Sequence, residues 1–281
     1  MATRTRRHGG RPPASRTARQ AADSPAIRYL ARAGFLARGI MYGLIGWIAL
    51  QIAFGNSSQQ ADKNGALHTL SSTPVGAAAL WLLVVGFFGM ALWRLCEAIF
   101  GAPGPGGREA KARLGALGRA VIYGVTGYGV LRYTLGAGAP ESTDKQSEDL
   151  TAALLRHPGG QALVVIIGLA LAAGGVVLAY QYWKKRFLKN MRFDGARART
   201  RRIVEWLGRV GGIARAVVFV TAGVFLIIAA LRSQPQEAKG IDSSLRALAA
   251  TPAGPWALVL IAAGLIMFGA FSCCEARWRR V

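Results

Sequence analysis

Acidic side chains are scarce in this sequence: 13 Asp and Glu stand against 35 Lys and Arg, a formal net charge of +22 over 281 residues. Histidine and cysteine are nearly missing, with three of each. A haem-binding bundle needs histidines at matched depths inside helices, and His8, His68 and His157 all fall outside the apolar runs, which excludes it. His68 and His157 read as solvated loop residues in preference to an exterior cation site. Cys96, Cys273 and Cys274 have no histidine at metal-ligand spacing and read as small apolar packing residues, with no structural disulfide expected. The glycine-rich run GAPGPGG at 101–107 lacks the Gly-Lys-Ser/Thr ending and the preceding strand of a phosphate loop, and reads as a linker. No Ser, His and acid combination sits at consistent depth. No catalytic residue, cofactor, metal ligand or enzyme activity is therefore expected.

What the chain does have is long apolar blocks. Hydrophobic residues make up 52% and charged residues 17%. The charge-free stretches Val75 to Trp93, Pro158 to Trp183 and Ala247 to Cys274 run for 19, 26 and 28 residues. Each is long enough to cross about 30 Å of hydrocarbon as a helix. Phe35 to Phe54, Leu114 to Leu135 and Val210 to Leu231 are further candidates, although each contains at least one arginine. The pattern predicts an all-α integral membrane protein with six transmembrane helices.

The excess charge is divided by topology. Segments 1–38, 94–119, 181–215 and 275–281 together hold 28 of the 35 basic residues and 6 of the 13 acids, whereas the remaining loops balance seven against seven. Under the positive-inside rule this places both termini in the cytoplasm. The basic segments lack a folded reading element and an aromatic-interleaved patch, so nucleic acid is not the expected partner; anionic lipid headgroups are. Residues 1–26, rich in Arg, Ser, Pro and Ala, are expected to form a disordered cytoplasmic tail.

The spans repeat. ARGIMYGLIG (37–46), GRAVIYGVTG (118–127) and ARAVVFVTAG (214–223) place Arg38, Arg119 and Arg215 four residues before Tyr42, Tyr123 and Phe219. The following spans are preceded by ALHTLSSTPVG, LTAALLRHPGG and SLRALAATPAG, which align Pro74, Pro158 and Pro252 and also Gly76, Gly160 and Gly254. Counting on 23 residues from each proline reaches Glu97, Gln181 and Glu275. The chain thus reads as three tandem helical hairpins in a pseudo-threefold bundle, with repeats at 34–100, 115–183 and 210–278. Proline is expected in the first turn of each second helix. Before it, a short amphipathic helix is expected on the outer surface, capped in the third repeat by Asp242 and Ser243. Gly39, Gly43, Gly124 and Gly127 are expected to permit close helix approach.

A helix of 23 residues travels roughly 34 Å, so each terminal acid reaches the depth at which the arginine of the first helix begins its crossing. An ion-pair layer follows as an expectation: Arg38 with Glu97, Arg215 with Glu275, and Arg119 facing the uncharged Gln181.

The Arg-x-x-x-(Tyr/Phe) helices, the Ala-Leu-x-x-Leu-x-x-x-Pro-x-Gly segments and the Glu-Ala pairs at 97–98 and 275–276 resemble the bacterial membrane proteins grouped as domain of unknown function 1206. The resemblance spans about residues 30–280. It implies a six-span protein of three two-helix repeats and implies no activity; the cytoplasmic membrane is the expected location. The middle copy departs from it, with Gln181-Tyr182 in place of Glu-Ala. A structural or accessory scaffold is the expected role, a small-solute or ion transporter or channel is the alternative, and a membrane enzyme has the least support.

Overall fold

The computed structural model describes residues 24–55, 60–101, 109–138, 142–195, 197–249 and 254–279. Six long helices are apolar enough to cross a membrane: α1 (Pro25–Ala53), α3 (Gly76–Phe100), α4 (Ala110–Thr134), α6 (Gly160–Trp183), α7 (Ala198–Leu231) and α9 (Gly254–Trp278). Three short helices, α2 (Lys63–Ser71), α5 (Thr143–Leu155) and α8 (Ile241–Ala249), join the members of each hairpin. Residues 1–23 of the expected tail lie outside the described residues. The helix itself starts earlier than the tail was expected to end: Ser24 accepts a hydrogen bond from the Ile27 N–H and Pro25 occupies the first turn.

The prolines sit one step earlier than expected. α3 and α6 begin at Gly76 and Gly160, two residues after Pro74 and Pro158, so each proline belongs to the turn between the short and the long helix; Pro252 lies outside the described residues. Each glycine has a steric reason. A Cβ on Gly76 would lie 2.5 Å from the Leu70 carbonyl oxygen, and one on Gly160 would lie 1.7 Å from that of Leu154. The long helix starts directly against the last turn of the short one, and only a residue without a side chain fits there.

The long helices pack in the order α4, α3, α1, α9, α7, α6, each against its neighbours. Two hairpins are therefore closed, α1 with α3 and α7 with α9. The second is not: α4 and α6 stand at the two ends of the series and make at most marginal contact. The tightest crossing joins repeats 1 and 3. A Cβ on Gly39 would lie 2.9 Å from the Gly269 carbonyl oxygen, and one on Gly269 would lie 2.7 Å from that of Gly39, so α1 and α9 meet backbone to backbone. Gly127 packs on Phe87 and Phe88, whereas Gly43 and Gly124 would meet nothing within 4 Å of an added Cβ. Around these contacts Met41, Ile45, Leu67, Leu83 and Phe87 form one apolar core, and Ile48, Val218, Leu245 and Leu258 form another.

Candidate functional site

The two ends of the bundle are chemically different. At one end the loops between long helices are basic, and a layer of charged side chains lies just inside it. Arg38, from α1, donates through Nε to the Ser272 hydroxyl (3.1 Å), through Nη1 to the Tyr123 hydroxyl (3.4 Å), and through Nη2 to the Glu275 carboxylate. Its guanidinium carbon also lies 5.0 Å from the Phe35 ring centre and 5.3 Å from that of Phe268. Glu275 is shared, because Arg279 bonds its second oxygen. Arg94 donates to Glu97 on its own helix at 2.6 Å. A buried carboxylate that serves one or two guanidinium groups is the arrangement by which charge is tolerated away from water.

The pairing differs from the expected one. Arg38 meets Glu275 of repeat 3 and not Glu97 of its own hairpin, because α1 lies between α3 and α9 and turns this residue towards α9. Glu97 is taken by Arg94. Arg215 reaches no acid among the described residues: its Nε donates to the Tyr42 hydroxyl at 2.9 Å, and its guanidinium lies among the rings of Tyr42, Phe219 and Phe268 at 4.8–5.3 Å. Arg119 and Gln181 are exposed and stand outside the layer. Arg94, Ser272 and Arg279 are members of the layer that the sequence reading did not anticipate. The spacing of Arg94 to Glu97 and of Glu275 to Arg279, three and four residues, was the signal that could have found two of them.

The other end is tied by three aspartates, one from each repeat. Asp62 caps α2, accepting from the Asn64 and Gly65 N–H groups, and its second oxygen accepts the Thr143 N–H of repeat 2 at 3.0 Å. Asp144 accepts the backbone N–H (3.1 Å) and the hydroxyl (2.7 Å) of Ser243 in repeat 3. Asp242 accepts the Ala61 N–H of repeat 1 at 2.7 Å and pairs with Arg246, which closes the cycle. Asp242 and Ser243 therefore do not cap α8 as expected; the helix begins at Ile241, and they bond to other repeats instead. Burial pushes the Asp144 carboxyl up from its ordinary range, against the Ser243 bonds that favour its charged form. Burial likewise lowers the Lys63 amine, with Asp62 opposing the shift. His68 and His157 are exposed. Among the described residues no three His, Cys, Asp or Glu side chains are placed to hold a metal ion.

Six apolar helices, a charged layer inside one end and a polar ring at the other define a multi-pass helical membrane protein built from three hairpins. More narrowly, the chain belongs to the family described as Domain of Unknown Function (DUF1206), whose profile matches it three times, at residues 33–101, 114–185 and 210–279. It is similar to a Bacillus subtilis (strain 168) protein described as "Uncharacterized protein YxxB", with 31% identity over 252 residues that cover 88% of this chain and 90% of that one. No solved structure matches the chain.

Proposed function

We propose that the protein is a structural or accessory component of the bacterial cytoplasmic membrane. It would act as a scaffold with both termini in the cytoplasm and its basic end against the anionic headgroups of the inner leaflet, and it would catalyse no reaction. The observation that carries this reading is the use made of the polar groups inside the bundle. Arg38 with Glu275, Arg215 with Tyr42, and the aspartate cycle at the other end all bond one repeat to another. Such bonds hold the repeats to one another, as a scaffold requires. At the start of α7, Arg199 and Arg202 share a face with the exposed Ile203 and Trp206, the pattern of a segment lying at a headgroup boundary. Each Lys or Arg near an anionic surface contributes about 1 kcal/mol there.

The reading is tested by reconstitution. Liposomes of anionic lipid that carry the protein should be no more permeable to small solutes and ions than protein-free ones. Saturable, protein-dependent flux would replace the scaffold with a small-solute or ion transporter.

A further inference from the structure

Repeat 2 is the one in which the internal symmetry fails, and it fails in three ways at once. Where Glu97 and Glu275 supply a buried carboxylate, this repeat has the exposed Gln181. Its arginine, Arg119, is exposed and has no carboxylate partner among the described residues, its guanidinium folded back along α4 over Gly115. Its two long helices do not pack together, although α5, which joins them, is bonded to repeats 1 and 3 through Asp144 and Thr143. The bundle is thus closed at the aspartate end and has an open seam between α4 and α6.

The seam leads to charge. Arg215 and Tyr123 both keep part of their surface accessible; Arg215 and Tyr182 of α6 lie against the same Phe268 ring, and Arg38, which bonds Tyr123 of α4, lies over it too. Arg119 precedes Tyr123 by four residues and so shares its side of α4. Arg38 and Arg279 divide Glu275 between them and Arg94 has Glu97, which leaves Arg215 as a half-buried cation with no anion among the described residues. A cation in this position calls for a counter-charge. Trp183, the last residue of α6, stacks under Arg209 at 4.1 Å. Tryptophan and arginine at a span end mark headgroup depth.

The geometry points to a binding site for one phospholipid with an anionic headgroup in the seam between α4 and α6. Its phosphate takes the place of the carboxylate that repeat 2 lacks, with Arg119 at the mouth and Arg215 at the floor. Its acyl chains cover the exposed apolar faces of the two helices, where Ile122 and Val125 on one side and Val176 and Val177 on the other are more than half accessible. A lipid is favoured over free phosphate because the cation lies inside the bundle beside apolar helix faces that chains would cover. This site presupposes the membrane-embedded reading but not the attraction of the basic surface, and it is separable from the scaffold role.

The test counts lipids. Full-length protein, delipidated in detergent and offered equal phosphatidylglycerol and phosphatidylcholine, is washed in high salt, where the Debye length falls to about 3 Å and surface attraction is screened. Native mass spectrometry should then find one retained phosphatidylglycerol per chain. Arg215→Gln should lower its retention about tenfold, the scale of one lost charge-assisted contact. Because Arg215→Gln also disturbs Tyr42, a second variant guards against misfolding: Arg119→Gln, at an exposed position without a carboxylate partner among the described residues, removes the cation at the mouth and should also lower retention severalfold. Equal retention in wild type and Arg119→Gln, equal retention of phosphatidylcholine, or displacement by inorganic phosphate would each overturn the proposal. Complete loss of lipid from the wild type in high salt would overturn it too, while leaving the surface reading intact. Flux in the liposome experiment would reject the scaffold role without touching the lipid count.

Discussion

Arg38 touches two helices besides its own: α4 through Tyr123, and α9 through Ser272, Glu275 and Phe268. Glu275 in turn holds two guanidinium groups. Removing it leaves Arg38 buried without its partner, which costs about 3–5 kcal/mol for a buried pair. Removing Glu97 strands only Arg94, whose guanidinium is also stacked on Trp93 at 4.2 Å. The expected outcome is that Glu275→Ala lowers the thermal stability of detergent-solubilised protein more than Glu97→Ala. In a double-mutant cycle, Arg38→Ala with Glu275→Ala should be less damaging than the sum of the singles. Arg38→Ala with Glu97→Ala should be additive within about 0.5 kcal/mol, because the two side chains are not partners. Coupling of Arg38 to Glu97 and not to Glu275 would mean that each hairpin is closed by its own charges.

Between elements, the small residues show how context divides one sequence signal into two outcomes. Gly269 of α9 faces the backbone of α1: an added Cβ would lie 2.7 Å from the Gly39 carbonyl oxygen and 2.8 Å from the Gly43 nitrogen. Neither atom belongs to a side chain that can swing away. Gly269→Ala should therefore force α1 and α9 apart, at a cost of about 1–3 kcal/mol. Gly124 of α4 would meet nothing within 4 Å. Gly124→Ala should stay within about 1 kcal/mol of wild type, on the stabilising side, since alanine is the better helix former. Melting curves of the two variants in one detergent check this, and similar losses in both would contradict the described α1 to α9 crossing.

For the whole molecule, the polarity of charge makes a prediction about orientation. The basic ends of the six long helices gather at one end of the bundle, and the aspartate cycle lies at the other. In sealed bacterial cells carrying a cysteine-free version, single cysteines replacing His157 or Ser233, both exposed at the aspartate end, should react with an impermeant thiol reagent. Cysteines replacing Ala110 or Ala198, exposed at the basic end, should react only after permeabilisation. Labelling of Ala198→Cys in sealed cells would reverse the orientation.

The six helices, their threefold repetition and the uneven charge were readable from the amino-acid order, because each is a local property. A run of about 20 apolar residues must satisfy its backbone hydrogen bonds internally, and in hydrocarbon that makes it a helix whatever surrounds it. Partner choice is not local. Arg38, Arg119 and Arg215 occupy the same motif position, yet one is bonded to an acid of another repeat, one is exposed, and one lies among aromatic rings. Which of these results depends on which helices become neighbours and how each is rotated, since an ion pair needs its atoms within about 4 Å and a turn of one residue moves a side chain by 100°. α1 has a long helix on both sides, and its arginine turns inward to α9; α4 stands at the end of the series with α3 as its main neighbour, and its arginine is left exposed. Tertiary packing alone made that distinction, and with it the seam in repeat 2.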